Sequence, residues 1–160
     1  MAALLGSLEV LQKLWEWAKK KLTTEEINNK LLLGTDNEVR TVWHVAVQRS
    51  DLETSQKIWQ WAKEKQTTEK IYNKLLLGTD NEGKTAWHLA TKCGNLEILQ
   101  KVWEWTKEKL TTVDINNKLL LGTEKEGKTA WHLAAECDKL EPLQKIWEWA
   151  KRETKNREDK

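Results

Sequence analysis

Two stretches of the chain have the spacing of a phosphate-binding loop. Gly78-Thr79-Asp80-Asn81-Glu82-Gly83-Lys84-Thr85 matches G-x-x-x-x-G-K-[ST] at every fixed position, and Gly122 to Thr129 matches it again. In such a loop backbone amides point at phosphate oxygens and the lysine adds charge, the setting for nucleotide binding. His44, His88 and His132 are a second candidate, because imidazoles ligate metals and transfer protons near neutral pH. Cys93 and Cys137 are a third.

The surroundings argue against each. Asp80 and Glu82 would sit inside the phosphate cradle and repel the ligand. The upstream segment Ile71-Tyr72-Asn73-Lys74-Leu75 reads as helix, not as the buried strand such a loop follows, and no apolar strand ends in an Asp that could hold Mg²⁺. The related stretch near Thr41 has Val39 and Arg40 where the motif needs Gly and Lys. A turn leading into a helix accounts for all three. The histidines recur every 44 residues. Packed elements lie about 8–10 Å apart, whereas metal ligands converge within about 2 Å of one ion. A shared metal is therefore not expected, and each His is expected to bond its nearby Thr and the adjacent turn backbone. The two Cys are likewise one period apart, too far for a bridge. No catalytic residue, metal or cofactor is expected.

The 44-residue period is itself the strongest signal. Thr41-Val42-Trp43-His44, Thr85-Ala86-Trp87-His88 and Thr129-Ala130-Trp131-His132 mark a tandem array. Residues 51–94 and 95–138 agree at 29 of 44 positions, so each unit should make nearly the same contacts with its neighbours. We read 1–160 as a single repeat domain: a partial unit 1–50, full units 51–94 and 95–138, and a partial unit 139–160. Such a chain reads as a segment of a longer array or one with trimmed caps. The opening Met1 to Gly6 lacks a basic leader, against a secretory signal. Lys and Arg (27) nearly cancel Asp and Glu (25), which gives little general attraction to nucleic acid or anionic membrane. No apolar run is long enough to span a bilayer. Two Cys are too few for a disulfide framework. A monomer in an intracellular, cytoplasmic setting is expected, with the nucleus left open.

Three helices per unit follow from the pattern. The first covers about Thr85 to Cys93, with Trp87, Leu89 and Ala90 on its buried side; Gly94 ends it, replaced by Ser50 and Asp138 elsewhere. The second begins at a capping residue, Asn95, Asp51 or Ser7, and carries Leu96, Leu99, Val102 and Trp103 at helical spacing. Pro142 falls in the first turn of the last copy, where proline is tolerated. The third starts at Thr23-Thr24, Thr67-Thr68 or Thr111-Thr112, with Thr23 and Glu26 at capping-box spacing. Gly122 suits a left-handed closing residue. Residues 80–84 form a turn in which Gly83 takes positive φ. The tail from Lys151 to Lys160 mixes both charges and is expected to fray.

Eleven Trp accompany one Tyr and no Phe. They fall in three series: Trp15, Trp59, Trp103, Trp147; Trp17, Trp61, Trp105, Trp149; and Trp43, Trp87, Trp131. The first two series are paired two residues apart, so their members point about 200° from each other. The first member of each pair should enter the core. The second should meet the third helix or water. An exposed aromatic ladder that stacks sugars or bases is the functional alternative.

On these residues the chain resembles the ankyrin repeat family. Asp80, Gly83, Thr85, His88 and Ala90 fit that family's turn and first helix, and Asn95-Leu96-Glu97-Ile98-Leu99 fits the start of the second. It departs from the family in having Ala86 and Trp87 for Pro and Leu, Val39 for a turn glycine, and 44 residues for the usual 33. The resemblance implies an all-α tandem-repeat solenoid, a helix-turn-helix stack with an extra short helix per repeat, in which Thr41 with His44, Thr85 with His88 and Thr129 with His132 hold the structural motif. It further implies a non-catalytic protein–protein interaction scaffold. The partner, of unknown identity, would contact Asn37, Glu38, Arg40, Gln48 and Arg49; Asn81, Glu82, Lys84 and Lys92; and Lys125, Glu126, Lys128 and Glu136. Arg40, Lys84 and Lys128 form a cationic ladder, each beside an acid. A nucleotide-binding enzyme using Lys84 or Lys128, and a structural or storage array, are the alternatives.

Overall fold

The computed structural model describes residues 8–64, 69–137 and 139–158. Ser7, Thr67, Thr68 and Asp138 lie outside the described residues. Among those described, the chain is all helical with no strand: α1 (Leu8–Lys21), α2 (Thr24–Glu26, continuing as a π-helical run Ile27–Leu32), α3 (Val42–Gln48), α4 (Leu52–Glu64), α5 (Glu69–Leu77), α6 (Ala86–Cys93), α7 (Leu96–Lys109), α8 (Thr112–Asp114, continuing as π-helix Ile115–Leu120), α9 (Ala130–Glu136) and α10 (Leu140–Glu158).

The caps explain where these helices begin. Asn95 Oδ1 accepts from the Glu97 and Ile98 amides at 3.1 and 3.2 Å to open α7. At α4, Asp51 Oδ1 accepts from the Thr54 amide at 3.0 Å. Thr23 and Glu26 form a reciprocal capping box at α2. α6 closes at Gly94, whose φ of 66° is left-handed, and Ser50 takes the same region, φ 56°, after α3.

Three features differ from the sequence reading. Gly122 is not among the positive-φ glycines. Its missing side chain matters because a Cβ there would clash with the Lys118 carbonyl oxygen; Gly78 stands in the same relation to Lys74. The third helix is a regular α-helix only in α5. In α2 and α8 it widens to i→i−5 bonds, ending with Leu33 N–H to Asn28 O at 2.9 Å and Leu121 N–H to Asn116 O at 3.0 Å. These two runs share the sequence INNKLL, and α5 has Tyr72 in place of the first Asn. Finally, α10 runs on to Glu158 instead of fraying from Lys151. Its continuation consists mostly of helix formers, and Glu153, 3% exposed, is anchored to Lys107 of α7.

Packing repeats from unit to unit. The first helices touch in sequence, α3 on α6 and α6 on α9, and each packs on the second helix that follows it: α3 on α4, α6 on α7, α9 on α10. The third helices fill the angle between them, α2 against α3 and α4, α5 against α6 and α7, α8 against α9 and α10. Trp43 and Trp87 are fully enclosed. Both members of the interior Trp pairs are buried, so Trp61 and Trp105 enter the core as fully as Trp59 and Trp103. The indole N–H groups of Trp15, Trp43, Trp59 and Trp87 find no acceptor, so the contribution of these side chains is contact area and ring stacking. No helix among the described residues is long and apolar enough to cross a membrane.

Candidate functional site

The turns that precede the first helices are built by a carboxylate. Asp36 Oδ1 accepts from the Glu38 and Arg40 amides at 3.0 and 2.9 Å, and Asp80 Oδ1 accepts from the Glu82 and Lys84 amides, both at 2.9 Å. Glu124, one methylene longer, still reaches the Lys128 amide at 2.9 Å. Each turn also closes backbone to backbone: Asp36 with Arg40, Asp80 with Lys84, Glu124 with Lys128. Val39 takes φ 60° where Gly83 and Gly127 both take 77°, so the first turn keeps the same course without its glycine.

Neighbouring tips are joined directly. The Asn81 amide donates to Glu38 O at 2.8 Å, and the Lys125 amide donates to Glu82 O at 2.9 Å. Three turns thus form one continuous edge. At the first two turns a histidine ties the turn's helix to the segment that follows. The Thr41 amide donates to His44 Nδ1 at 3.3 Å while the His44 amide donates to Thr41 Oγ1 at 3.3 Å, a capping box with imidazole in the usual Glu position. Because Nδ1 accepts, the ring proton lies on Nε2, which donates to Gly78 O at 2.7 Å. His88 repeats this with Thr85 and, at 3.0 Å, Gly122 O. Burial holds both imidazoles below the usual histidine range, opposed by the Nε2 hydrogen bonds and nearby carboxylates. His132 makes the bonds to Thr129 but is exposed.

The residues singled out by the phosphate-loop spacing are therefore occupied. Asp80 takes the amides of Glu82 and Lys84, and the Gly78 and Gly122 carbonyls accept from histidine. Lys84 is only 6% exposed and is paired with Glu82. Burial pulls its ammonium down, but the bond to Glu82 and the carboxylates of Glu124 and Asp80 outweigh this and hold it above the usual lysine range. Among the described residues, no group of three or more His, Cys, Asp or Glu could hold a metal ion. Both cysteines are free. Cys93 Sγ–H donates to Gln48 O at 2.9 Å and Cys137 Sγ–H to Thr91 O at 3.3 Å, so each thiol links the end of one first helix to the one before it. Burial pushes the Cys93 thiol up, away from the reactive thiolate.

Of the thirteen contact residues named above, ten are exposed. Asn37, Glu38, Asn81, Glu82, Lys125 and Glu126 project from the tips, and Gln48, Arg49, Lys92 and Glu136 lie exposed on or next to the first helices. The three ladder cations are all paired with acids; Arg40 and Lys84 are largely covered, while Lys128 is 34% exposed. Arg40 pairs with Asp36 at 2.8 Å and Glu38 at 3.2 Å, and donates to Gln48 Oε1 at 3.0 Å. Lys128 pairs with Glu126 at 3.0 Å and Glu136 at 2.8 Å, which raises its pKa above the usual lysine range. The tip acids Glu38, Glu82 and Glu126 stand further out than these cations, with side chains 57, 61 and 71% exposed, and the third tip also carries the exposed Lys125. The spacing of acid and cation was legible in the sequence; which of the two faces solvent was not.

No family model matches this chain, and no curated protein sequence matches it. The turn edge is defined by its geometry alone.

Proposed function

We propose that this chain is an ankyrin-like helical solenoid that serves as a non-catalytic scaffold, binding a protein partner along its turn tips and the exposed side of its first helices. The observation that carries this reading is the tip-to-tip hydrogen bonding of successive turns, which fixes Glu38, Glu82 and Glu126 in one row, one unit apart. In this reading the row of first helices and turns lines the concave side of the stack. Regularly spaced, well-exposed carboxylates suit a partner carrying basic groups at a similar repeat, and the absence of aromatic anchors from the tips suits moderate, charge-guided affinity. The acid-paired Arg40, Lys84 and Lys128 act in this reading as supports for the row.

The test is a pull-down from source-cell lysate with wild type and an E38K/E82K/E126K variant. Partners retained by wild type and released by the variant support the reading; partners held equally by both remove it. Nucleotide binding is a weaker reading, because the amides it needs already donate to Asp80. Saturable quenching of Trp fluorescence by ATP would revive it.

A further inference from the structure

The second helices, α1, α4, α7 and α10, are linked by one kind of contact. The first Trp of each pair stacks on the second Trp of the next unit: Trp15 on Trp61 at 4.7 Å and 12°, Trp59 on Trp105 at 5.2 Å and 24°, Trp103 on Trp149 at 5.2 Å and 9°. Six of the eight paired tryptophans are used in this way, and all six are at most 8% exposed. The two left over are Trp17, a second member, and Trp147, a first member. They are 55% and 62% exposed and stand at opposite ends of the row. They are the two halves of one missing rung.

Each half sits on an apolar patch. Trp17 borders a cavity of about 320 Å³ together with Leu11, Leu14 and Trp61. Trp147 shares a cleft with Trp131, Leu140 and Leu143, and Leu140 is 65% exposed. Exposed aromatic patches of this kind mark contact surfaces.

We propose that the protein associates end to end with a second copy of itself, Trp147 of one copy stacking on Trp17 of the other. The occupant follows from continuity with the interior rungs: what lies against a first-member Trp is, three times out of three, the second-member Trp of a neighbouring second helix, and α1 presents one uncovered. The two patches differ, so the contact is heterologous and copies add in an open series. The contact proposed is one stacked rung with its apolar border, so the association is weak and reversible. It is independent of the turn-tip reading, because the Trp row and the turn edge share no residue.

Sedimentation velocity from micromolar to millimolar concentration tests this with wild type, W17E, W147E and a 1:1 mixture of the two variants. Both side chains are largely exposed, so the variants keep the wild-type helical circular dichroism. The mass of wild type is expected to rise with concentration. Each variant alone stays monomeric, and the mixture forms a dimer and stops there, because one intact end of each kind remains. Monomeric wild type throughout, either variant associating on its own, or a mixture that stays monomeric would overturn the proposal.

Discussion

His44 and His88 each perform three jobs with one ring: Nδ1 accepts the Thr amide that opens a helix, the ring fills space at 1% exposure, and Nε2 donates to a carbonyl 34 residues on. A proton added to Nδ1 would face the Thr amide, donor against donor, and undo the cap. The neutral ring is thus the one the fold stabilises, and the folded pKa lies below the unfolded value of about 6.5. This stabilisation is fully present above pH about 6.5 and is lost as pH falls below it toward the folded value. Against the pull of burial, the bonds from Arg40 hold Asp36 below the usual carboxylate range, and the bond from Lys84 does the same for Glu82. Denaturant midpoints are therefore expected to fall between pH 6.5 and 5, and H88Q, whose amide can still cap Thr85, should flatten that slope. An unchanged slope in H88Q would remove His88 as its source. Sequence spacing pointed to the Thr–His pair; the carbonyl that completes the bond came only with the fold, because Gly78 and Gly122 belong to the following segment.

Among the elements, the turns show how far a local rule can be overridden. Gly83 and Gly127 supply positive φ at no steric cost, and Val39 takes 60° in the same place, a region where a β-branched residue is strained. The strain is tolerated because Asp36 and the tip bond to Asn81 hold the loop from both sides. Val39 is 46% exposed, so it returns little packing. V39G is expected to stabilise the protein by about 1 kcal/mol, relief of left-handed strain less the added flexibility of the unfolded chain, read from chemical denaturation. Destabilisation would mean that the Val side chain contributes packing that outweighs the strain. The third helices illustrate the opposite limit. Capping at Thr23 and Thr111 was legible from spacing, but the π-helical widening of α2 and α8 was not, since no local propensity rule separates INNKLL from IYNKLL.

For the whole molecule, position in the row decides what a residue is worth. Trp59 and Trp147 occupy the same place in their units. Trp59 is 2% exposed, with Trp43, Tyr72 and Trp105 around it at 5.2–5.5 Å. Trp147 is 62% exposed, with Trp131 edge-on at 6.0 Å. W59A is expected to cost about 3–5 kcal/mol of stability, and W147A, measured in dilute solution, less than about 1 kcal/mol. Equal losses would mean that the two sites are packed alike. Contacts between adjacent units dominate such an array, so the ends are the least stable parts of it.

The amino-acid sequence by itself determined the 44-residue period, the helical character of each unit, the caps at Thr23, Asp51 and Asn95, and the pairing of Thr with His. These follow from hydrogen-bonding groups and apolar side chains a few residues apart, which local backbone geometry brings together. Only the tertiary structure decided that the second Trp of each interior pair is buried, that Lys84 is enclosed while Glu82 is exposed, and that Trp17 and Trp147 are left uncovered. Those outcomes depend on partners about 44 residues away, and a side chain's periodicity states which face it occupies without stating what covers that face.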